Sequence, residues 1–470
     1  MQEPIENLKN RAHQALGDEK LKAALSVIPE GFVNKRLKAK AARPDFSALS
    51  DRAVEIKKHT LENITHYLER FEHAVSKAGG TVHFAQTPDQ ARQIIEQLCK
   101  ERSAKRIVKG KSMISEEINL APHLIKAGYE CIETDLGEYL IQLRGEMPSH
   151  IVAPAVHLTR DDIRQDFQTA HDELPIERAL ETPEDFVKEA RGILREKFLN
   201  ADIGITGANF LIAENGKTVI VTNEGNGDLC QSLPQTHIVI SSFEKLVPTM
   251  EDAMTMLRLL ARSATGQPIS TYTTFTGGPA LKKGELGPTE FHVVLLDNGR
   301  SRMLGSDYSE MLRCIRCGAC LNHCPVYQNL GGHAYGSVYP GPMGAVLSPQ
   351  FFGRSMLELS HASSFCGRCN EVCPVQIPLT KLMRKWRAEG RQKPLPLITM
   401  KLWAWLAAKP ALYNWAMRLA LPIAAKIAGS KSGAKHLPGL AQWTHHRTAP
   451  SVSKQSFQSQ WAKSEKAGET

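Results

Sequence analysis

Residues 314–325 read CIRCGACLNHCP, and residues 363–374 read SSFCGRCNEVCP. In the first stretch Cys314, Cys317, Cys320 and Cys324 precede Pro325 in the C-x2-C-x2-C-x3-C-P spacing of bacterial ferredoxins. Three closely spaced thiolates wrap one cubane in that arrangement, while the fourth cysteine turns away to a neighbouring cluster. The second stretch supplies Cys366, Cys369 and Cys373 before Pro374, with Ser363 standing where a matching first cysteine would be. Interleaving therefore predicts one 4Fe-4S cluster on Cys314, Cys317, Cys320 and Cys373, and a second on Cys324, Cys366 and Cys369. Were Cys320 and Cys324 to share a helix, their α-carbons would lie only ~6 Å apart, which makes the two clusters neighbours. The second cluster has three open solutions: a 3Fe-4S cluster, a serine oxygen from Ser363 or Ser364, or an iron left open.

Seven of the ten cysteines fall between Cys314 and Cys373. The N-terminus carries no apolar core and no small-residue cleavage site, so the expected home is a reducing cytoplasm, where clustered thiols bind metal rather than pair as disulfides. Structural zinc prefers two separated ligand pairs and fits triplets of cysteines badly. Cys99, Cys131 and Cys230 stand alone in apolar or irregular settings and read as buried structural thiols.

Working outward toward the N-terminus, residues 1–78 carry helical spacing of charged and apolar residues, terminated by Gly79 and Gly80. A mixed region follows over 79–300. It has strand patterns at Thr81–Ala85, Arg106–Gly110 and Tyr129–Asp135, with helices beginning near Pro88 and Ser115, which is the βαβαβ spacing of a parallel sheet. Further strands are expected at ADIGITGAN, GKTVIVTNEG, THIVISS and EFHVVLLDN, with a helix over 249–264. Glu214-Asn215-Gly216 between two apolar runs predicts a type I′ hairpin turn. A dicluster segment covers 301–390 and includes a glycine-rich loop between Asn329 and Pro349.

Charge is uneven. From Leu379 to the end there are 16 Lys or Arg against three acids, a net +13, which leaves −4 on the preceding 378 residues of a chain carrying +9. All six tryptophans lie in the same stretch. The tail from 391 to 470 thus reads as a helical attachment segment that docks on a partner or peripherally on the inner face of a membrane. Arg418, Pro422 and Lys426 interrupt its apolar run, so it is not expected to span a bilayer. No nucleic-acid-binding motif accompanies the basic residues.

Other candidate sites are weaker. Gly225-Asn226-Gly227 lacks the third glycine and the helix start of a dinucleotide fingerprint. Lys109, Lys111 and Ser112 sit between a strand and a helix, where a carboxylate could bind. His150 and His157 flank a proline-rich, strand-like run and offer an acid-base or metal cluster with Asp135 and Glu138, although satisfied structural histidines explain them more simply. Glu214 resembles the glutamate of CoA-transferase turns, but a tight hairpin explains the same residues.

The chain resembles a known family at VKGKSMISEEI (Val108 to Ile118), ETDLGEYLIQL (Glu133 to Leu143), PSHIVAPAVH (Pro148 to His157), GITGANFLIAENG and GGHAYGSVYPGPMGAVLSP, together with the first cysteine motif. That family is lactate utilization protein B, the iron-sulfur subunit of an L-lactate oxidation system. The resemblance implies an α/β domain similar to the sugar-phosphate isomerase and CoA-transferase superfamily, followed by a ferredoxin-type dicluster domain. It also implies a part in oxidising L-lactate to pyruvate, beside a cysteine-rich A-type subunit and a C-type subunit with a second lactate-utilization domain, and an electron acceptor that the sequence does not name. Two rival readings stay open at this level: a ligand-binding protein whose clusters sense redox state or oxygen, and a self-sufficient dehydrogenase.

Overall fold

A computed structural model of the chain describes residues 7–175, 177–280, 285–390, 394–428 and 452–467. They form two compact units, residues 1–390 and 391–470. Among its described residues the first contains ten strands: β1 (Thr81–Ala85), β2 (Arg106–Lys109), β3 (Glu130–Glu133), β4 (Ile203–Thr206), β5 (Phe210–Ile212), β6 (Thr218–Thr222), β7 (Thr236–Ser241), β8 (Leu246–Val247), β9 (Tyr272–Thr276) and β10 (Glu290–Leu296).

Six strands make one sheet in the order β1-β10-β7-β4-β2-β3, and every pairing in it is parallel. The central strands are buried on both faces, which is why THIVIS in β7 reads as a continuous run instead of an alternating one. The expected parallel sheet is present, but β10 inserts between β1 and β7, a neighbour relation that local pattern does not carry. The remaining four strands form a second sheet, β8-β5-β6-β9.

Helix starts follow side-chain chemistry. Thr87, Asp135 and Thr249 each accept a hydrogen bond from a first-turn amide, and Thr159 with Asp162 and Thr182 with Asp185 form reciprocal capping boxes. The N-terminal segment is helical as its spacing indicates. Its helix Phe46–Glu62 packs on Met250–Ala264, and Ala53, Ile56, Met256 and Leu260 share one core with the cysteine segment.

Four local expectations need correction. The helix expected from Ser115 is two short helices, Met113–Glu117 and Leu120–Lys126, because Asn119 adopts a left-handed conformation between them. The Glu214-Asn215-Gly216 hairpin is not type I′, since of these residues only Gly216 has positive φ, +69°, and a β-carbon there would lie 2.6 Å from the Val75 nitrogen. Much of the glycine-rich loop is the buried helix Gly341–Phe352, which packs on the basic helix Leu379–Glu389. Residues 151–157 are bends and turns, not a strand.

A buried arginine ties these parts together. Arg300 is fully inaccessible, donates to both carboxylate oxygens of Glu117 (2.9 and 2.6 Å) and to Glu244 (3.0 Å), and lies 4.2 Å over the Phe351 ring. Replacing it with an apolar side chain strands two buried carboxylates. Arg300→Met should therefore cost ~3–5 kcal/mol in urea denaturation; a midpoint equal to that of the parent chain would contradict this role.

In the second unit, Pro394–Ala407, Pro410–Ala428 and Phe457–Ala467 are helical. No helix among the described residues is long and apolar enough to cross a membrane.

Candidate functional site

The seven motif cysteines gather from two segments. Gly318, with φ +76°, turns the chain into the short helix Ala319–Asn322, which places Cys320 inward. That helix ends before Cys324, which caps the next one, Pro325–Leu330. Cys320 and Cys324 thus do not share a helix, and the break is what sends their sulfurs in different directions. The second segment repeats the device, with Gly367 at φ +82° leading into Arg368–Glu371.

Cys314, Cys317, Cys320 and Cys373 line one small apolar cavity together with Met311, Met343 and Ile377. Cys324, Cys366 and Cys369 lie within electrostatic range of one another, and Cys320 feels Cys369 as well as its own group. Burial pushes the thiols of Cys317 and Cys369 up to about 12 and that of Cys373 up to about 11. Thiolates at such positions need a compensating cation, which an iron ion held there would supply. Backbone N–H groups already point at the sulfurs: Ile377 N–H donates to Cys373 Sγ (3.4 Å), and backbone amides oppose the burial effect at Cys317 and Cys324. Cations surround the first group. Arg36, buried and bonded to the Val372 carbonyl, acts on Cys317 and Cys373, while Lys57, Lys245 and Arg316 act on Cys314. The donor set, the amides and the positive surroundings suit an anionic iron-sulfur cluster.

Ser363 and Ser364 differ from the cysteines. The Ser363 hydroxyl accepts from its own turn, at Phe365 N–H (3.1 Å), and its carbonyl accepts from Arg387 (2.6 Å). Ser364 is exposed, as is Cys366.

A second feature adjoins the first cysteine group. A cavity of about 250 Å³ opens where Lys111 and Ser112, Asp135, and Asn209 follow the carboxyl ends of β2, β3 and β4, and its far wall includes Arg316 and Cys317. Of the three residues singled out beyond β2, Lys111 and Ser112 face this cavity. Lys109 does not. It is fully buried and pairs with Glu133 (2.8 Å), Glu116 (3.0 Å) and Glu138 (3.5 Å). Burial disfavours that ammonium, yet the three carboxylates outweigh it and raise its pKa.

The remaining candidates resolve into structural roles. His150 accepts from the amides of Val152 and Ala153 (3.0 Å each) at Nδ1, so its Nε2 carries the proton and donates to Asn322 (2.8 Å). It pins a loop of the sheet domain to the first cysteine segment. His157 lies elsewhere, beside Glu146 (2.9 Å) and His333, and neither histidine joins Asp135 and Glu138 in one cluster. Asp135 caps its helix and Glu138 sits by Lys109. Glu214 accepts from the Met250 amide (2.6 Å) at a helix start, which accounts for it without chemistry. Gly225 does precede a helix, Asn226–Ser232, contrary to the sequence reading, but Cys230 occupies the place of the third glycine. Cys99, Cys131 and Cys230 are buried. Sequence reasoning missed Lys245, Asn226 and Arg316 in the cavity wall; only the position of Arg316 inside the cysteine motif offered a hint.

Comparison with known proteins decides the family. The LUD domain model matches residues 68–296, the 4Fe-4S dicluster domain residues 310–377, and the model for the C-terminal part of lactate utilisation protein B residues 381–466. Lactate utilization protein B of Bacillus pumilus (strain SAFR-032) is 42% identical over 465 residues, 97% of each chain. The protein of the same name from Bacillus cereus (strain AH820) is 41% identical over 98% of this chain and 97% of its own. The chain belongs to the lactate utilization protein B family. Its dicluster domain spans all seven motif cysteines, so this family member is an iron-sulfur protein. A crystal structure of a DUF162 family protein from Deinococcus radiodurans aligns with TM-score 0.28 at 14% identity, over 50% of this chain and 98% of that one.

The His150 pin has a pH signature. Burial lowers its pKa to about 4, against a smaller opposing effect of the Asn322 hydrogen bond. The folded value lies below that of an unfolded histidine, ~6.5, so the stabilisation is complete above that pH and is lost as pH falls toward 4. The shift corresponds to ~3 kcal/mol. Urea midpoints should decline over this window, and less steeply in His150→Asn; parallel declines in the two proteins would refute the assignment.

Proposed function

We propose that the chain is the electron-relay subunit of a lactate-oxidising system, passing electrons through two iron-sulfur clusters. Oxidation of L-lactate to pyruvate releases two electrons and two protons, whereas a cluster usually carries one electron, so two adjacent clusters can divide the pair. The observation that carries this reading is the gathering of seven cysteine thiols from two ferredoxin-spaced segments, in a chain related along its length to proteins named for lactate utilization.

In this reading Cys314, Cys317, Cys320 and Cys373 hold the first cluster, and Cys324, Cys366 and Cys369 the second. Because the Ser363 hydroxyl is engaged in its own turn, an open iron, a three-iron cluster or the exposed Ser364 is favoured over Ser363 as the solution at the second site. Cys366 is exposed whereas Cys317 is buried, which supports electrons entering at the first cluster and leaving at the second. The sheet domain (79–300), the dicluster domain (301–390), the N-terminal helical segment (1–78) and the basic tail (391–470) are the working divisions. Partners in this reading are A-type and C-type lactate utilization subunits. The exposed Trp403, Trp405 and Trp415 among basic residues support a docking role for the tail, at a partner or peripherally at a membrane on the cytoplasmic side.

Metal analysis and EPR on anaerobically reconstituted protein test the cluster content, with about seven to eight irons expected per chain. Cys320→Ala should remove the first cluster's signal and Cys324→Ala the second's; indistinguishable spectra would defeat the interleaved assignment. L-Lactate should bleach the clusters when A-type and C-type subunits are added, and absence of bleaching in that full mixture would defeat the relay.

A further inference from the structure

The cavity beside the first cysteine group has a composition that the relay does not use. Open parallel sheets bind ligands outside the carboxyl ends of their strands, where loops diverge. Here the loops after β2, β3 and β4 form the floor, while Arg316 and Cys317 of the dicluster segment close the far side. Cys317 also lines the apolar cysteine cavity, so one residue separates the two spaces.

Two polar groups in this wall lack partners. Lys245 is 7% exposed, and among the described residues its ammonium has no hydrogen-bond or ion-pair partner, although Lys111 and Arg316 in the same wall are both engaged. Asn226 is also 7% exposed, and its Oδ1 is buried without a hydrogen bond. A buried cation in contact with no carboxylate and a buried acceptor without a donor are both costly, and native structures keep few of them. The acids around the cavity are taken by other partners: Glu244, whose charge reaches Lys245, pairs with Arg300 and Arg316, Asp135 caps its helix and faces Lys111, and Glu224 accepts from the Leu136 amide. A ligand with one negative charge and one hydroxyl would satisfy both groups. The volume, about 250 Å³, is that of a small metabolite and excludes a dinucleotide.

We infer that this cavity binds a small 2-hydroxy acid, its carboxylate held by Lys245 and its hydroxyl donated to Asn226 Oδ1, against the wall shared with the first cysteine group. The inference deepens the relay reading and rests on it for the choice of L-lactate as probe. It assigns a binding site and no bond-breaking step.

Anaerobic calorimetry on the full-length reconstituted chain provides the test, with L-lactate, pyruvate and acetate as titrants. One saturable site for L-lactate is expected. Lys245→Met should weaken it at least about tenfold, the loss of one charged hydrogen bond. Asn226→Leu should weaken L-lactate while leaving acetate unchanged. Added L-lactate should also alter the EPR signal that Cys320→Ala abolishes. The inference fails if L-lactate shows no saturable binding, or if Lys245→Met binds it as well as the parent chain while shifting only the cluster potential, which would make Lys245 a partner of the cluster alone. Iron measured in the same samples keeps the two readings apart. An iron-loaded chain that ignores L-lactate defeats the binding site only, whereas a chain that takes up no iron defeats the relay.

Discussion

A buried run of alternating charge joins the sheet to the first cysteine motif, and the arrangement of both depends on it. Glu117, in the short helix after β2, is clamped by Arg300; Arg300 also holds Glu244, next to β8; Glu244 in turn faces Arg316, between Cys314 and Cys317. Tyr339 adds a hydrogen bond to Glu117 (2.7 Å) and lies under the Arg316 guanidinium. Burial alone would lift the Glu244 carboxyl, but Arg300, Arg316 and Lys245 overcome it and hold the group down at about 2. Such a network stabilises only when every member is present, because removing one leaves its neighbour charged in a medium that cannot solvate it. The backbone at Arg316 shows the constraint directly: its φ is +58°, a left-handed conformation for a long side chain, held by the cysteines on either side and by the acid it must reach.

This network explains why the cavity and the cysteine cage share a wall. The sheet ends in loops that need a cover, and the dicluster segment needs a rigid surface on which to hold four sulfurs. Arg316 and Cys317 serve both needs. A second tie acts through the loop after Met147, where His150 bonds Asn322 and the Ser149 carbonyl accepts from Tyr327 (2.7 Å). The approach there is so close that a β-carbon on Gly332 would fall 1.7 Å from the Ser149 carbonyl oxygen. Glycine is required at that position by contact between segments almost two hundred residues apart in sequence.

Sequence pattern revealed what short-range chemistry controls. The cysteine spacing, the helices from Pro88 and over 249–264, and the apolar runs of β4, β7 and β10 are local signals with local causes. The insertion of β10 between β1 and β7 is not local, and neither are the partners of Lys109, His157 or Arg300. β9 was missed although YTTFT is rich in β-branched and aromatic residues; its pairing with β6 was hidden by the long separation between them. The glycine-rich stretch misled because Gly341 and Gly344 usually mark loops. In this fold Gly341 takes a positive φ, +70°, against the Leu321 side chain, and Gly344 sits against the Tyr339 carbonyl within the buried helix. The cavity was only half legible: Lys111 and Ser112 stood out beside a strand, while Lys245 and Asn226 have no motif and acquire meaning only by converging.

The two cysteine groups sit in unlike surroundings, and on the proposed ligand sets that difference bears on their reduction potentials. A reduced cluster carries one more negative charge than an oxidised one. Burial therefore penalises reduction, and cations or N–H donors favour it. The first group is the more buried, and it is also where Arg36, Lys57, Lys245 and Arg316 concentrate. The second has exposed Cys366, with Arg368 between Cys366 and Cys369 and Arg387 bonded to the Ser363 carbonyl. The two effects oppose each other in the first group, so its potential is drawn back toward that of the exposed one. An inner cluster without those cations would resist accepting an electron from a donor, and an inner cluster with them and without burial would resist releasing it. Cationic residues around a buried site are thus what allows charge to move both into the interior and out again.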